Sequence, residues 1–359
     1  MAHAVNQRSR ANVTAMEGVA RMKTRWGMVA ALCLLAMPAQ AQEIPAWLEA
    51  DLRGRAGLDS ARIDAVRRGE AVATELDTGL PREIAVFGIA AVRLSRDAYV
   101  RRVLDFGPST RPPTRRRFGI FSLPPAPADV RDVVVAERDV KDLRDCRPGA
   151  CVMKLPATAI ARLADMDWRA ADVPARVTAL ARQDLISYVA DYLARGDTAL
   201  VVYDDHGSVR ASEVFAELLA ATPQVEEYAP ALHRHLLGYP AATLPGASEV
   251  LFWSEDELPP LRPVLSVTHL VIFRPPARPD LTLAAAKQLY ANHYFEAAFD
   301  LTCYVEGPAR AAGQGGHLVA LRRYRFDRLP SGGPHSLRAR AVDAARRQLL
   351  ADLRRFQNR

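Results

Sequence analysis

Lys287-Gln-Leu-Tyr-Ala-Asn-His-Tyr-Phe-Glu-Ala-Ala-Phe-Asp-Leu-Thr-Cys-Tyr304 alternates along almost its whole length. Leu289, Ala291, His293, Phe295, Ala297, Phe299, Leu301 and Cys303 fall on one face. Gln288, Tyr290, Asn292, Tyr294, Glu296, Asp300, Thr302 and Tyr304 fall on the other. A period of two predicts a strand with one packed face and one wetter face. The run is roughly three times the usual strand of about 5–6 residues. Taken as one strand, it has to cross a strongly curved antiparallel sheet.

The neighbouring segments supply that sheet. Val264 to Arg274 is a β-type run stopped by Pro275-Pro276, and Gly316 to Leu329 is another. Ser336 then caps a helix in which Val342, Ala345, Leu349, Leu353 and Phe356 recur at helical spacing. The other face of that helix is mostly arginine and aspartate, so its apolar stripe should lie on the sheet. Upstream, Asp59 to Arg68 reads as a helix and Ile84 to Val92 as a strand. Ser95 is an N-cap for a helix through Leu104. Pro108, Pro112 and Pro113 break the chain into a loop, and short β-type runs follow at Arg117–Leu123, Val130–Leu143 and Ala150–Leu155.

From Pro156 to Pro260 the character is helical. Ala157–Asp165, Val173–Arg195 and Ser212–Ala221 are rich in alanine and leucine, with one short strand expected at Thr198–Tyr203. Leu185, Tyr188, Val189 and Tyr192 form an i, i+3, i+4, i+7 stripe whose ordinary meaning is core packing. The expected fold class is therefore α+β: a curved antiparallel sheet gripping a long C-terminal helix, with a mainly helical insertion. Its parts are a helical lead-in at 42–80, a first part of the sheet domain at 81–155, the insertion at 156–260 and a second part at 261–359.

The N-terminus carries an export signal. Met22-Lys-Thr-Arg25 is basic, Met28 to Met37 is an apolar run too short to span a bilayer, and Ala39-Gln-Ala41 places cleavage before Gln42. Met22 is the better start codon, and Cys33, preceded by Leu32, lacks the small neighbour that a lipidation signal wants. Residues 1–41 hold five basic side chains and Glu17, so cleavage lowers the net charge from +7 to +3. So small a charge does not describe a nucleic-acid binder. The expected location is periplasmic or secreted, with no integral membrane span after cleavage. The cluster Arg111, Arg115, Arg116, Arg117 reads as a solvated loop. Cys146 and Cys151 bracket Arg-Pro-Gly-Ala, a turn that a disulfide would close in an oxidising compartment. Cys303 reads as a buried small hydrophobe.

The order strand, helix, antiparallel strands, then one long amphipathic C-terminal helix resembles the START-like (helix-grip) superfamily. The resemblance rests on Ile84–Val92, the helix from Ser95, the strands to Leu155, those from Val264 and the helix from Ser336. It implies a sheet wrapped around the last helix, with a cavity between them for a lipid or other apolar ligand. Residues 156–260 depart from the pattern. The superfamily shares no catalytic signature, so no catalytic residue is carried over.

His269 and His293 each sit among apolar neighbours, and in a suitable register their imidazoles would meet in a pocket. The plainer alternative is two core histidines, each with a backbone partner. Tyr290, Tyr294 and Glu296 share the polar face of the long run and would line a cavity if that face turned inward. His233-Arg-His235 sends its two imidazoles to different sides of a helix, a poor metal site and a solvated segment. Asp204-Asp-His-Gly207 reads as a turn, and Ser254-Glu-Asp-Glu257 as an acidic surface run. A nucleophile elbow, a phosphate loop, a dinucleotide fingerprint and a zinc-protease helix are all missing. No metal or cofactor is called for. The expected function is binding of an apolar or amphipathic, lipid-like small molecule. The alternatives are an enzyme of the same fold using His269, His293 or Glu296 as acid or base, and an envelope interaction protein.

Overall fold

A computed structural model describes residues 43–107, 112–257, 261–307, 315–330 and 336–357. The expected export signal, the candidate start at Met22 and Arg111 lie outside the described residues. In chain order the described elements are α1 (Ala46–Gly54), α2 (Ser60–Arg67), β1 (Val72–Leu76), β2 (Glu83–Val92), α3 (Arg96–Val103), β3 (Arg115–Ile120), α4 (Glu137–Leu143), α5 (Ala157–Ala164), α6 (Val173–Arg195), β4 (Val202–Tyr203) and β5 (Val209–Arg210). They continue with α7 (Ala211–Ala220), α8 (Pro223–Tyr228), α9 (Pro230–Gly238), β6 (Ser248–Asp256), β7 (Val264–Phe273), β8 (Leu281–Ala291), β9 (Phe295–Glu306), β10 (Gly316–Phe326) and α10 (Leu337–Gln357). Eight strands form one open antiparallel sheet in the order β1-β2-β10-β9-β8-β7-β6-β3. The α+β class, the long C-terminal helix and the helical insertion are as the sequence indicates.

The alternating run at 287–304 is not one strand. It is the hairpin of β8 and β9, turned by Asn292, His293 and Tyr294, with Tyr294 in the left-handed region at φ 61°. Leu281 pairs with Val305 and Lys287 with Phe299, so partners always share parity. A turn of three residues keeps odd positions of both strands on one face. The alternation therefore runs through the turn without a break, and periodicity alone could not see it. One slip does occur, a register shift in the β7–β8 ladder that sets Tyr290 opposite Val267 and Gln288 opposite Thr268. Leu289 and Tyr290 consequently pack into the same core.

Both faces of the sheet are dry. On one, Val86, Ala90, Leu318 and Ala320 meet Val342, Leu349 and Leu353 of α10, while Tyr99 of α3 stacks on Tyr304 at 5.6 Å between ring centres. Ser336 caps α10, its Oγ accepting from the Ala339 N–H at 3.2 Å. Gly88 lies directly under this helix: a Cβ there would stand 2.9 Å from Leu353 Cδ1 and 3.0 Å from Leu349 Cδ2, so the leucine tips rest close on the glycine. On the other face, Ile89, Val271, Ala285, Phe299 and Leu321 pack against α1, α2 and α7 to α9. Leu251, Trp253, Val267 and Leu289 continue that face against α6.

Four segments differ from expectation. Val130–Leu143 holds a short 3₁₀ turn at Pro127–Val130 and α4 in place of a strand, and Ala150–Leu155 is irregular apart from an Arg147–Ala150 bridge. The strand expected at Thr198–Tyr203 shrinks to the two residues of β4. Ser248–Asp256, assigned to the helical insertion, is strand β6 of the main sheet, apolar on both faces and so without the alternation that announces a one-sided strand. The basic cluster is also not a solvated loop. Arg115 pairs with Asp256 at 3.1 Å, Arg116 with Glu257 at 3.2 Å and Arg117 with Glu255 at 2.9 Å, so the basic segment and the acidic run neutralise each other across β3 and β6.

Leu349→Ala should cost about 2–5 kcal/mol in urea unfolding, because it empties space in the buried core between α10 and the sheet. His317 on β10 is buried, with no hydrogen-bond partner for either ring nitrogen among the described residues, and burial pulls it down to about 4. The folded protein then binds its proton less readily than the unfolded chain, near 6.5. The stability of the neutral form is complete above that value and is lost as pH falls toward 4, a swing of about 3 kcal/mol. His317→Leu should flatten stability against pH across that window, which chemical denaturation at stepped pH measures.

Candidate functional site

The sheet face opposite α10 carries a partly open cavity of about 400 Å³. Its roof is α4, α5 and α6. Its floor is Leu265 of β7, Tyr290 of β8 and Asn292 of the hairpin turn. The walls are apolar, with Leu143 and Met153 from the segment before the insertion and Leu163, Val177 and Leu180 from the insertion itself. The slip in the β7–β8 register is what turns Tyr290 toward this side. Its hydroxyl donates to the Lys154 carbonyl at 3.1 Å, and its ring meets Tyr188 edge-on at 6.2 Å. Tyr188 also donates to the Leu289 carbonyl, which ties α6 to the sheet. Beneath the C-terminal helix, where the helix-grip resemblance implies a cavity, Tyr99, Tyr304, Leu349, Leu353 and Phe356 pack together.

Charged groups gather at the rim. Arg162 forks onto Asp184 at 2.6 and 2.8 Å, and burial nevertheless pushes the Asp184 carboxyl above its ordinary value. Arg117 and Glu255 pair on the side of β6. Asp139 of α4 receives Arg262 at 2.9 Å and lies 3.3 Å from His293 Nε2. Burial pushes Asp139 up, but His293 and the Arg262 guanidinium beside it outweigh that and hold the carboxyl low.

The disulfide forms as expected, with Cys146 and Cys151 Cα atoms 4.4 Å apart. It closes the turn that docks on the Asp204–Asp205 corner: the Gly149 N–H donates to the Asp204 carbonyl at 2.6 Å and the Cys151 N–H to that of Asp205 at 3.1 Å. Asp204–Gly207 is a turn, with Gly207 at φ 110°, but it also presents a buried carboxylate. Lys154, only 2% exposed, sits over the Tyr203 ring at 4.4 Å, 3.4 Å from Asp205 and 3.9 Å from Asp327. His206 Nδ1 lies 3.0 Å from Asp205. A second, polar cavity of about 290 Å³ opens here, and Glu296 lines it in a 2.8 Å pair with Arg82.

The candidates thus separate. Tyr290 lines the apolar cavity and Glu296 the polar one. His293 stands in the hairpin turn against Asp139. Tyr294 accepts a hydrogen bond from the Arg262 N–H at 3.0 Å, and its ring lies beside His293. His269 is on β7 opposite Lys287, with different partners altogether. His269 and His293 do not share a pocket.

What sequence reasoning missed surrounds His269. In the β6–β7 ladder Leu251 opposes His269, so Glu249, two residues along, reaches it diagonally on the same face. Glu249 Oε2 is 3.0 Å from His269 Nε2, and Glu249 Oε1 is 3.3 Å from His235 Nε2. His235 was assigned to a solvated segment. It is 2% exposed, because α9 turns it inward and leaves its neighbour His233 half-buried. The i, i+2 spacing did separate the two imidazoles. The signal that would have found the cluster is the strand character of Ser248–Asp256. His235 and His269 beside it outweigh burial and hold the Glu249 carboxyl down to about 2. Lys287 stands nearby, fully buried and pulled down to about 8 by that burial, with Asp197 and the Leu236 carbonyl as partners.

No family model, no curated protein and no solved structure matches this chain.

Replacing Cys146 and Cys151 by alanine together should cost about 2 kcal/mol by loop-closure entropy. Denaturant unfolding of the double variant, compared with the oxidised protein, measures it.

Proposed function

We propose that this protein binds an apolar or amphipathic small molecule in the cavity between the helical insertion and the sheet. The observation that carries this reading is the cavity itself. At about 400 Å³ it falls within the range of small-molecule sites, and it is lined mainly by aliphatic side chains with a few charged pairs among them. A cavity that size holds the tail of a lipid-like molecule, while Arg117, Arg162 and their carboxylate partners meet a polar end at the mouth. The helix-grip resemblance supports the ligand class. It places the pocket under the last helix, however, and here the pocket is on the opposite face, so the insertion takes the part of the gripping element. Export to an oxidising compartment belongs to the same proposal, supported by the disulfide that braces the turn next to the cavity wall.

The test is direct. Ala181 on α6 faces the cavity, and Ala181→Trp fills it without disturbing any ion pair. A fluorescent fatty-acid analogue should bind the wild-type protein at one equivalent, and Ala181→Trp should weaken that binding at least tenfold while leaving the thermal melt within a few degrees. Saturable binding that the tryptophan does not alter, or none to the wild type, would overturn the proposal.

A further inference from the structure

His235, Glu249 and His269 come from three separate elements, α9, β6 and β7, and their ligand atoms lie within 4.8 Å of one another. His235 Nε2 lies 3.3 Å from Glu249 Oε1 and His269 Nε2 lies 3.0 Å from Glu249 Oε2, one imidazole on each carboxylate oxygen and both distances close to the separation between two ligands of a tetrahedral zinc ion. With zinc–nitrogen and zinc–oxygen bonds near 2.0–2.1 Å, that separation is about 3.3 Å.

The outer contacts orient the rings as metal ligands are oriented. His235 Nδ1 is 2.6 Å from the Ala242 carbonyl, which can only accept, so Nδ1 carries the proton. A neutral His235 then turns its Nε2 lone pair toward Glu249. Two acceptors 3.3 Å apart repel unless a cation, a proton or a metal ion, lies between them. Nε2 is buried and makes no aligned hydrogen bond. His269 Nδ1 meets the Tyr192 hydroxyl at 3.0 Å, a partner able to accept its proton and free Nε2 on the side of Glu249. Tyr239 stacks on Tyr192 at 5.0 Å and meets both imidazoles edge-on, walling the cluster. Gly196 makes room for that wall: a Cβ there would fall 1.6 Å from the Tyr239 carbonyl oxygen. Lys287, a buried cation close by, has Asp197 against it, so the pair adds little net charge. Glu249 is about one-third exposed and gives an ion a way in.

We infer that His235, Glu249 and His269 form a binding site for a divalent transition-metal ion of borderline softness, zinc above all. Two neutral imidazoles and one carboxylate suit that class, and three protein ligands leave one tetrahedral position for water. The site is separate from the apolar cavity and stands or falls independently of it.

Full-length protein stripped with a chelator is titrated with Zn²⁺ against a chromophoric competitor. The wild type should take up one ion at this site. Glu249→Gln and His235→Gln should each weaken it at least a hundredfold, and His206→Gln should leave it unchanged. Should either glutamine variant fail to fold by circular dichroism, zinc X-ray absorption on the wild type decides: two imidazoles in the coordination shell are expected. Absence of saturable binding, binding lost only with His206→Gln, binding indifferent to Glu249→Gln, or a shell without imidazole would overturn the inference.

Discussion

The central strands have to be dry on both faces, and most of this architecture follows from that requirement. An antiparallel sheet usually keeps one face for water. Here Ala284, Ala285 and Ala286 follow one another on β8, as do Ala297 and Ala298 on β9, and the alanines on either side of the sheet are buried or nearly so. Small residues let helices come close. Gly88 carries this to its limit beneath Leu349 and Leu353. The sheet is therefore a middle layer, with α3 and α10 on one side and the lead-in and insertion helices on the other.

Burial of both faces has an electrostatic consequence. Any polar residue the strands carry is taken out of water and must find a partner. Glu83 meets Arg323 at 2.6 Å and Arg325 at 2.8 Å, Lys287 meets Asp197, and His269 meets Glu249 and Tyr192. These are costly groups to keep inside. A hydrophobic replacement of similar volume is often no worse for stability. The His235–Glu249–His269 cluster is of that kind, and a bound cation would satisfy it more fully than the three residues satisfy one another.

The two faces also divide the work. On the α10 side, aromatic and aliphatic groups pack together. On the other side, Tyr188 and Tyr192 of α6 and Asp139 of α4 reach the sheet, and the apolar cavity lies between α4 to α6 and the floor. The Cys146–Cys151 turn and the Asp204–Asp205 corner hold the segment that leads into it, so the wall is braced covalently as well as by hydrogen bonds.

Local signals were legible wherever they were also decisive. Ser95 and Asp59 cap their helices, with 3.3 and 2.8 Å bonds to the N–H groups of Ala98 and Arg62. The stripe of α10, the long α6, strands β2, β7 and β10 and the spacing of the two cysteines announced themselves in the same way. The hairpin at 292–294 did not, because a three-residue turn preserves parity. Neither did β6, because a strand buried on both sides has no period of two. Register then decided everything that depends on neighbours: His269 beside Glu249 and away from His293, Tyr290 turned into the cavity by a slip of the ladder, and Glu296 in a polar pocket. Periodicity is a property of one strand. Which side chains meet is a property of pairs of strands, so the sequence by itself determined the elements and the sheet-and-helix class, and only the tertiary structure decided the sites.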